Sequence, residues 1–402
     1  MLNTIDLFAG CGGLTEGFKQ SNEYKLLAGI EWDINAVNTL RNRLIEKWEY
    51  KEANQSILHF DIQRTDELIN GFMDNDYGSS VGLSKLVGDK PLDVIIGGPP
   101  CQAYSVAGRI RDKNGMHEDY RNYLFESYMS VVEHFKPKAC IFENVPGMLS
   151  ATPGGIPIID RISKAFNDAG YTISVNLKKE AMFDVSEFGV PQKRKRVIIV
   201  AFCNKNFDNP SKKVSEFYRN LNSYKISKIN TAGNALSNLP KIHPREAVER
   251  KKSHYIDDSG FNSQITDHEP RFHNERDIEI FQLLAKDIES GECKYTSSKA
   301  LLELYTEKTG KTSSVHKYHV IRGDLPSNTI PAHLYKDGLR HIHPDPEQAR
   351  SITVREAARL QSFPDDFIFC GANGAKYKMI GNAVPPQFAK YIARSLASTL
   401  SK

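Results

Sequence analysis

The chain has 402 residues, with 53 Lys and Arg against 49 Asp and Glu, a net charge of +4, 40% apolar residues and 25% charged ones. These values exclude a disordered tail, a fibre and a strongly basic coat protein, and leave a globular chain of two or three domains, or one large domain with an insertion. Six cysteines, none spaced as C-x-x-C, exclude a disulfide scaffold and a zinc-ligand pattern and fit a reducing cytoplasm.

Leu2–Phe8 reads as a first strand, not a signal peptide, because no basic stretch leads into an apolar run. Lys25–Glu31 is a second strand, and Ala36–Trp48 carries Val37, Leu40, Leu44 and Ile45 at helical spacing. Asn70–Lys90 is rich in Gly and Ser and predicts a loop. Leu92–Gly97 and Lys138–Glu143 are nearly unbroken apolar runs, the pattern of strands buried on both faces. Helices are predicted at Tyr123–Phe135 and Ile158–Ala169, and strands at Thr172–Leu177 and Arg196–Phe202. This alternation predicts an α/β fold with a doubly wound sheet. From Asn204 to Asp324, Lys, Ser, Asn and His dominate, strand patterns are few, and a helical stretch lies within Ala285–Leu304. Strong patterns resume near Pro326, with helices at Val354–Gln361 and Pro385–Ser398. The expected organisation is a main domain at 1–203, a smaller inserted domain at 204–325, and a supporting segment at 326–402 whose last helix returns to the main domain. No apolar run reaches the roughly 18 residues of a membrane span.

Chemistry-bearing residues fall at strand ends. Asp6-Leu7-Phe8-Ala9-Gly10-Cys11-Gly12-Gly13-Leu14 follows the first strand and opens a helix, so its glycines permit tight turning and close approach to a ligand. The spacing departs from G-x-G-x-x-G, which disfavours a dehydrogenase; a plain tight turn also fits the loop taken alone. Glu31 ends the second strand, where an acid can hold a ribose hydroxyl pair. Trp32 offers a ring to a purine, and Asp61, at the end of a third strand, an acceptor for an adenine amino group. Together they point to an adenosyl cofactor.

Gly97-Gly98-Pro99-Pro100-Cys101-Gln102 follows the Leu92 strand. Its prolines stiffen the turn, and a stiff turn at the carboxyl end of a parallel strand is where such folds place chemistry. Cys101 is the candidate nucleophile; a small buried thiol is the plain alternative. Glu143 ends the next strand and faces the same cleft as a candidate acid; a helix N-cap partner is the plain alternative. In Gln192-Lys193-Arg194-Lys195-Arg196, alternation puts Arg194 and Arg196 on one face.

At these positions the sequence resembles the DNA cytosine-5 methyltransferases of bacterial restriction–modification systems. The resemblance runs through the Asp6–Leu14 loop, Glu31-Trp32, Asp61-Ile62, Pro100-Cys101-Gln102, Glu143-Asn144-Val145, Gln192 with Arg194 and Arg196, Arg355–Pro364 and Gly381–Pro386. It implies a Rossmann-like S-adenosylmethionine-dependent methyltransferase domain carrying an inserted target-recognition domain. It assigns Cys101, Glu143, Arg194 and Arg196 to catalysis. Phe8, Gly10, Cys11, Gly13, Glu31, Trp32, Asp61, Ile62, Pro100, Leu124, Asn382 and Val384 go to S-adenosyl-L-methionine, and Gln102, Ser105, Arg109 and Arg111 to DNA. Ala103–Arg121 resembles the family's mobile loop that closes over DNA. No metal is implied.

The implied chemistry is covalent. Cys101 adds to carbon 6 of a flipped-out cytosine, Glu143 acts at ring nitrogen 3, and carbon 5 takes the methyl group. The implied partners are double-stranded DNA and a cognate restriction endonuclease acting on the same site, the expected state a monomer, the expected place the cytoplasm. Lys311, His316, Lys317, His319 and Arg322 form a basic stretch that suits phosphates or a solvated face equally. Two departures stand out: Tyr104 where Phe is common, and Glu180-Ala181 where Asn-Ala is usual. A tRNA-methylating relative would share Cys101 and Glu143, but usually has Thr where Ser105 stands. A binding module that only keeps the fold is opposed by the intact Cys101, Glu143 and Arg196.

Overall fold

The computed structural model describes residues 1–100, 124–259, 265–315, 318–336 and 338–401. They pack as two units: 1–189 with 194–227 and 383–402, and 190–193 with 228–382.

In the first unit β1 (Leu2–Leu7) leads through α1 (Gly13–Ser21) to β2 (Tyr24–Glu31), and α2 (Ile34–Trp48) leads to β3 (Ile57–His59). A small hairpin, β4 (Phe72–Asp74) and β5 (Gly78–Ser80), precedes β6 (Val94–Gly97). Then come α3 (Leu124–Phe135), β7 (Ala139–Asn144), α4 (Ile158–Asp168), β8 (Tyr171–Thr172), β9 (Met182–Asp184), β10 (Lys195–Cys203) and α5 (Pro210–Asn222). The C-terminal helix Pro386–Leu400 completes the unit. Strand order is β3-β2-β1-β6-β7-β10-β8, with β9 paired to β10. Neighbours from β3 to β7 are parallel, whereas β10 runs antiparallel to β7, β8 and β9. The expected α/β fold is thus borne out, with an antiparallel edge.

The strands form where the apolar runs lie. Val94, Ile95 and Ile96 of β6 and Ala139, Cys140 and Ile141 of β7 are fully buried. Both faces are therefore covered, as an unbroken apolar run requires. Asp33 caps α2 by accepting from the Asn35 amide at 3.0 Å. The C-terminal helix lies against α1, and Gly17 makes the approach possible. A Cβ at Gly17 would stand 2.5 Å from the Lys390 nitrogen and 2.6 Å from the Pro386 oxygen.

Three segments differ from the sequence reading. Thr172–Leu177 holds a strand only at Tyr171–Thr172; Ser174 Oγ accepts from the Asn176 amide at 3.0 Å and turns the chain into a helical turn at Leu177–Glu180. Asn70–Lys90 is not a bare loop but carries β4, β5 and a helical turn at Leu83–Val87. Its Gly71, Gly78, Gly82 and Gly88 take positive φ at the boundaries of these elements. Pro210–Asn222, expected in the inserted domain, belongs to the first unit. Its Val214, Phe217 and Leu221 are buried, and the Tyr218 hydroxyl donates to the Ile198 carbonyl at 2.9 Å. The division falls after 227 and after 382, where the sequence reading put 203 and 325. An exposed Lys- and Ser-rich face hid the apolar stripe of α5.

The second unit contains the hairpin β11 (Lys241–Glu249) and β12 (Lys252–Asp257), and the helices α6 (Glu275–Glu289), α7 (Ser298–Thr309), α8 (Val354–Leu360) and α9 (Asn373–Asn382). The helical stretch expected within Ala285–Leu304 is two helices, parted where Gly291 and Cys293 take positive φ. Ile280, Phe281, Leu284, Leu301, Tyr318 and Ile342 form an apolar core. Beside it lies a polar core. Arg350 donates to both oxygens of Glu356 at 2.7 Å, and both residues are buried. Glu356 also completes a capping box with Thr353 at the start of α8. His343 Nε2 stands 3.5 Å from Glu356 Oε1, and His273 Nε2 lies 3.1 Å from Ser351 Oγ.

Burial holds His254 and His343 down at about 4, and His273 and His341 down at about 3, with the Arg350 charge adding to the effect at His254, His273 and His343. These rings are neutral in the folded unit. Below pH ~6.5 the unfolded chain binds protons there and the folded chain does not. Their contribution to stability is therefore complete above that pH and is lost as pH falls toward 4. At pH 5 the loss is about 2 kcal/mol per ring. Amide-exchange protection factors in 228–382, corrected for intrinsic rates, should fall at least tenfold from pH 7 to pH 5. Unchanged protection would show that the rings titrate alike in the folded and unfolded chain.

Candidate active site

The strand order reverses at β1. The chain runs outward through β2 and β3, then returns to β6 on the other side of β1. The loops leaving β1 and β6 therefore start side by side at the carboxyl end of the sheet, the switch point where open α/β sheets bind ligands.

The loop after β1 is shaped by backbone geometry. Phe8, Gly10 and Gly12 have φ of 61°, 57° and 94°. A Cβ at Gly10 would meet nothing within 4 Å, so the loop leaves open space there. A Cβ at Gly13 would strike the Val384 carbonyl oxygen; Val384 thus seats the segment before the C-terminal helix against the start of α1. Glu31 ties the loop to β2. Its Oε2 accepts from the Gly10 amide at 2.9 Å and its Oε1 from the Asp33 amide at 2.8 Å. Burial raises the Glu31 carboxyl above its ordinary range, against the pull of those amides. Trp32 is 59% exposed, and its carbonyl lies 2.9 Å from His59 Nε2. Asp61 follows β3, half-buried, accepting from the Gln63 amide at 3.0 Å, with Ile62 buried beside it. Acceptors on Glu31 and Asp61, the open ring of Trp32 and the clear space at Gly10 fit an adenosyl group with a ribose diol.

Other predicted cofactor residues divide. Cys11 is buried, and burial pushes its thiol far up, so it packs as an apolar side chain. Leu124 is buried at the start of α3, and Pro100 is half-buried. Asn382 ends α9 in the second unit and is exposed.

The loop after β6 begins with Gly98, where a Cβ would lie 2.6 Å from Glu143 Oε2. The last two residues of β7 then act in different directions. Glu143 is buried, and its Oε1 accepts from Arg196 Nε at 2.8 Å. Asn144 Nδ2 donates to the Pro99 carbonyl at 3.2 Å and so fastens the Pro99-Pro100 turn to β7. Burial raises the Glu143 carboxyl above its ordinary range, while Arg196 and Arg194 oppose the rise. Along 192–196 exposure alternates: Gln192 and Arg194 are buried, Lys193 and Lys195 exposed, Arg196 half-buried. Arg194 Nη2 donates to the Ala383 carbonyl at 3.1 Å. Cys101, Gln102, Ser105, Arg109 and Arg111, with the whole of Ala103–Arg121, lie outside the described residues, as do His316 and Lys317.

Sequence reasoning gave Asn144 and Gly98 no role of their own. It also missed Asp6. This carboxyl is fully buried, accepts from Thr15 Oγ1 at 2.5 Å through Oδ2, and has no partner at Oδ1 among the described residues. Burial, with the nearby Glu31 charge, pushes it up to about 7 against the Thr15 hydrogen bond. The only signal was an acid inside an apolar strand.

Residues 2–398 match the family model described as C-5 cytosine-specific DNA methylase. The type II methyltransferase M.Bpa9945I of Bacillus paralicheniformis is 34% identical, over 99% of each chain. The type II methyltransferase M.AgeI of Thalassovita gelatinovora is 30% identical over the full length of both. Among solved structures, a prophage-encoded protein of E. coli described as a DNA modification methyltransferase superposes with a TM-score of 0.64 at 22% identity, covering 100% of both chains. That likeness concerns the fold.

The contact at Gly98 yields a test. Gly98→Ala should drive Glu143 off Arg196 and lower stability by about 1–3 kcal/mol, as overpacking does. Urea unfolding reads the loss, and a crystal structure of the variant reads the displaced carboxyl. An unchanged midpoint would mean that the wall beside Gly98 yields freely.

Proposed function

The chain belongs to the C-5 cytosine-specific DNA methylase family, and on that premise we propose that it transfers a methyl group from S-adenosyl-L-methionine to carbon 5 of a flipped-out cytosine in double-stranded DNA, through a covalent adduct on Cys101. In this reading it is the modification enzyme of a restriction–modification pair, and it acts in the cytoplasm on the site cut by a cognate endonuclease. Among the described residues no helix is long and apolar enough to cross a membrane.

The supporting observation is the setting of Glu143. This carboxyl is buried, raised above its ordinary range, held by Arg196, and set against Gly98 just ahead of Pro99-Pro100-Cys101. A carboxyl whose neutral form burial favours suits a ring nitrogen that must accept a proton as charge develops.

Carbon 5 of cytosine is a weak nucleophile. Addition of the Cys101 thiolate at carbon 6 forms a carbon–sulfur bond and pushes the ring electrons toward nitrogen 3, where Glu143 delivers a proton. The resulting enamine makes carbon 5 nucleophilic. S-adenosyl-L-methionine supplies the electrophilic methyl group. After transfer, loss of the carbon 5 proton to a base expels the Cys101 thiolate, and nitrogen 3 returns its proton to Glu143 as the aromatic ring is restored. A stacked cytosine shows neither face to Cys101, so the base must leave the helix. Arg196 holds Glu143 and orients the base at its carbonyl oxygen; Arg194 supports the cleft. Glu31 accepts from the ribose hydroxyls, Asp61 from the adenine amino group, and Trp32 covers the adenine ring. Gln102, Ser105, Arg109 and Arg111 contact DNA.

Incubation with labelled cofactor and either plasmid DNA or tRNA, followed by bisulfite mapping, reads substrate and site together; label in tRNA alone would sink the DNA assignment. Duplex DNA containing 5-fluorocytosine should trap the wild-type protein covalently and leave Cys101→Ala free. Because protonated Glu143 is the donor, the wild-type rate should fall on the alkaline side as that group ionises. Glu143→Gln donates a hydrogen bond but no proton. It should lose about 10²–10⁴-fold in kcat and lose the alkaline limb; wild-type single-turnover rates in this variant would exclude the proton donor.

A further inference from the structure

We propose that the distal half of the β11–β12 hairpin, Arg245–Lys252, is a ribbon that enters the major groove of the substrate DNA. This rests on the DNA-methylating function above and names an element that reads the duplex.

The two halves of the hairpin are built differently. Its base is anchored: Ile242 is fully buried and its amide donates to Gln348 Oε1 at 3.1 Å. Ser253 and His254 are buried, and Ser253 Oγ accepts from the His273 amide at 3.0 Å. Beyond Pro244 the packing stops. Every residue from Arg245 to Lys252 except Val248 is exposed. Among the described residues, none from Glu246 to Lys252 forms a hydrogen bond or ion pair with another element. The pairing jumps from Pro244–His254 to Glu249–Lys252, so residues 245–248 stand opposite Ser253 alone and bulge outward.

An isolated two-stranded ribbon is marginal in water, and this half adds only the half-buried Val248 to improve it. Folding stability therefore gives no reason for its length. Its chemistry gives one. Residues 245–252 hold Arg245, Arg250, Lys251 and Lys252 against Glu246 and Glu249, two positive charges in excess. Lys251 sits at φ 74°, a turn position where glycine is the relaxed residue, so a cation is held at the apex against local preference. Arginine reads the O6 and N7 of guanine, glutamate accepts from the cytosine amino group, and lysine pairs with phosphate. A major groove about 12 Å wide admits a two-stranded ribbon. The mixed charge suits G·C edges better than a bare phosphate track.

The variant Arg250→Ala/Lys251→Gly/Lys252→Ala removes three of the four cations, those at the apex, while relaxing the turn, so folding is preserved. The probe is a plasmid fragment containing a cytosine that the wild-type protein methylates, found by bisulfite sequencing. The variant should bind it at least tenfold more weakly by fluorescence anisotropy. The slope of log K against log salt should flatten by about 2–3, one unit per lost phosphate contact. Dimethyl sulfate protection of guanine N7 beside the target cytosine should disappear. Unchanged affinity and slope would overturn the proposal; a flattened slope with unaltered N7 protection would overturn groove entry. If the wild-type protein methylates no cytosine in any fragment, the functional reading itself fails, and the ribbon proposal with it.

Discussion

Glu143 is the penultimate residue of a strand whose every residue is buried, and a carboxylate there is costly unless a cation stands beside it. Arg196 provides that cation at 2.8 Å from the next strand of the sheet. Each residue needs the other: removing one partner of such a pair strands the other charge, at a cost of about 3–5 kcal/mol. The pair is also poised. Burial favours the neutral acid and the two arginines favour the carboxylate, so the group responds to small changes in its surroundings. Gly98 leaves no atom where Glu143 Oε2 lies, and Asn144 fastens the neighbouring turn through Pro99. The acid and the turn that leads into Cys101 are therefore fixed by consecutive residues of one strand.

The first unit applies the same physics again at Asp6, buried and raised to about 7 beneath the glycine loop. Its bond to the Thr15 hydroxyl links the end of β1 to α1 across the turn that the glycines make. The second unit meets buried charge differently. Arg350 and Glu356 satisfy each other and the start of α8, while the surrounding histidines stay neutral. Acid works against the histidines, whereas rising pH works against the neutral form of Asp6. The two units thus carry opposed pH responses, each set by which protonation state burial tolerates.

Much of the fold was readable because its strands are unbroken apolar runs ending in Gly or in an acid, a pattern that few other elements produce. Glu31, Glu143 and Arg196 could be placed at strand ends from alternation and length alone. What stayed hidden lacks a period, or has one that composition masks. Asn144 looks like any strand-end amide until its bond to Pro99 is seen. The stripe on α5 is Val214, Phe217, Tyr218 and Leu221 among lysines and serines, and composition outweighed spacing. The β11 strand contains Pro244 and a bulge, which erase the two-residue alternation by which a strand is known. The polar core of the second unit draws residues from 254 to 356, and no local window shows that histidines so far apart share one interior.

Net charge proves a poor guide to nucleic-acid binding here, and burial explains why. Arg43 is locked to Glu16 and Arg350 to Glu356, while Arg355 spends its donors on the carbonyls of Thr266, Pro364 and Phe367. These guanidinium groups count toward the total of 53 basic residues, yet they present nothing to an anion outside. Their acidic partners count equally and are equally withdrawn. The field that a duplex meets is set by cations left without carboxylate neighbours at the surface, and a chain of nearly balanced composition can concentrate those on one ribbon. Charge that folding consumes and charge that folding leaves exposed are different quantities, and only the second bears on DNA.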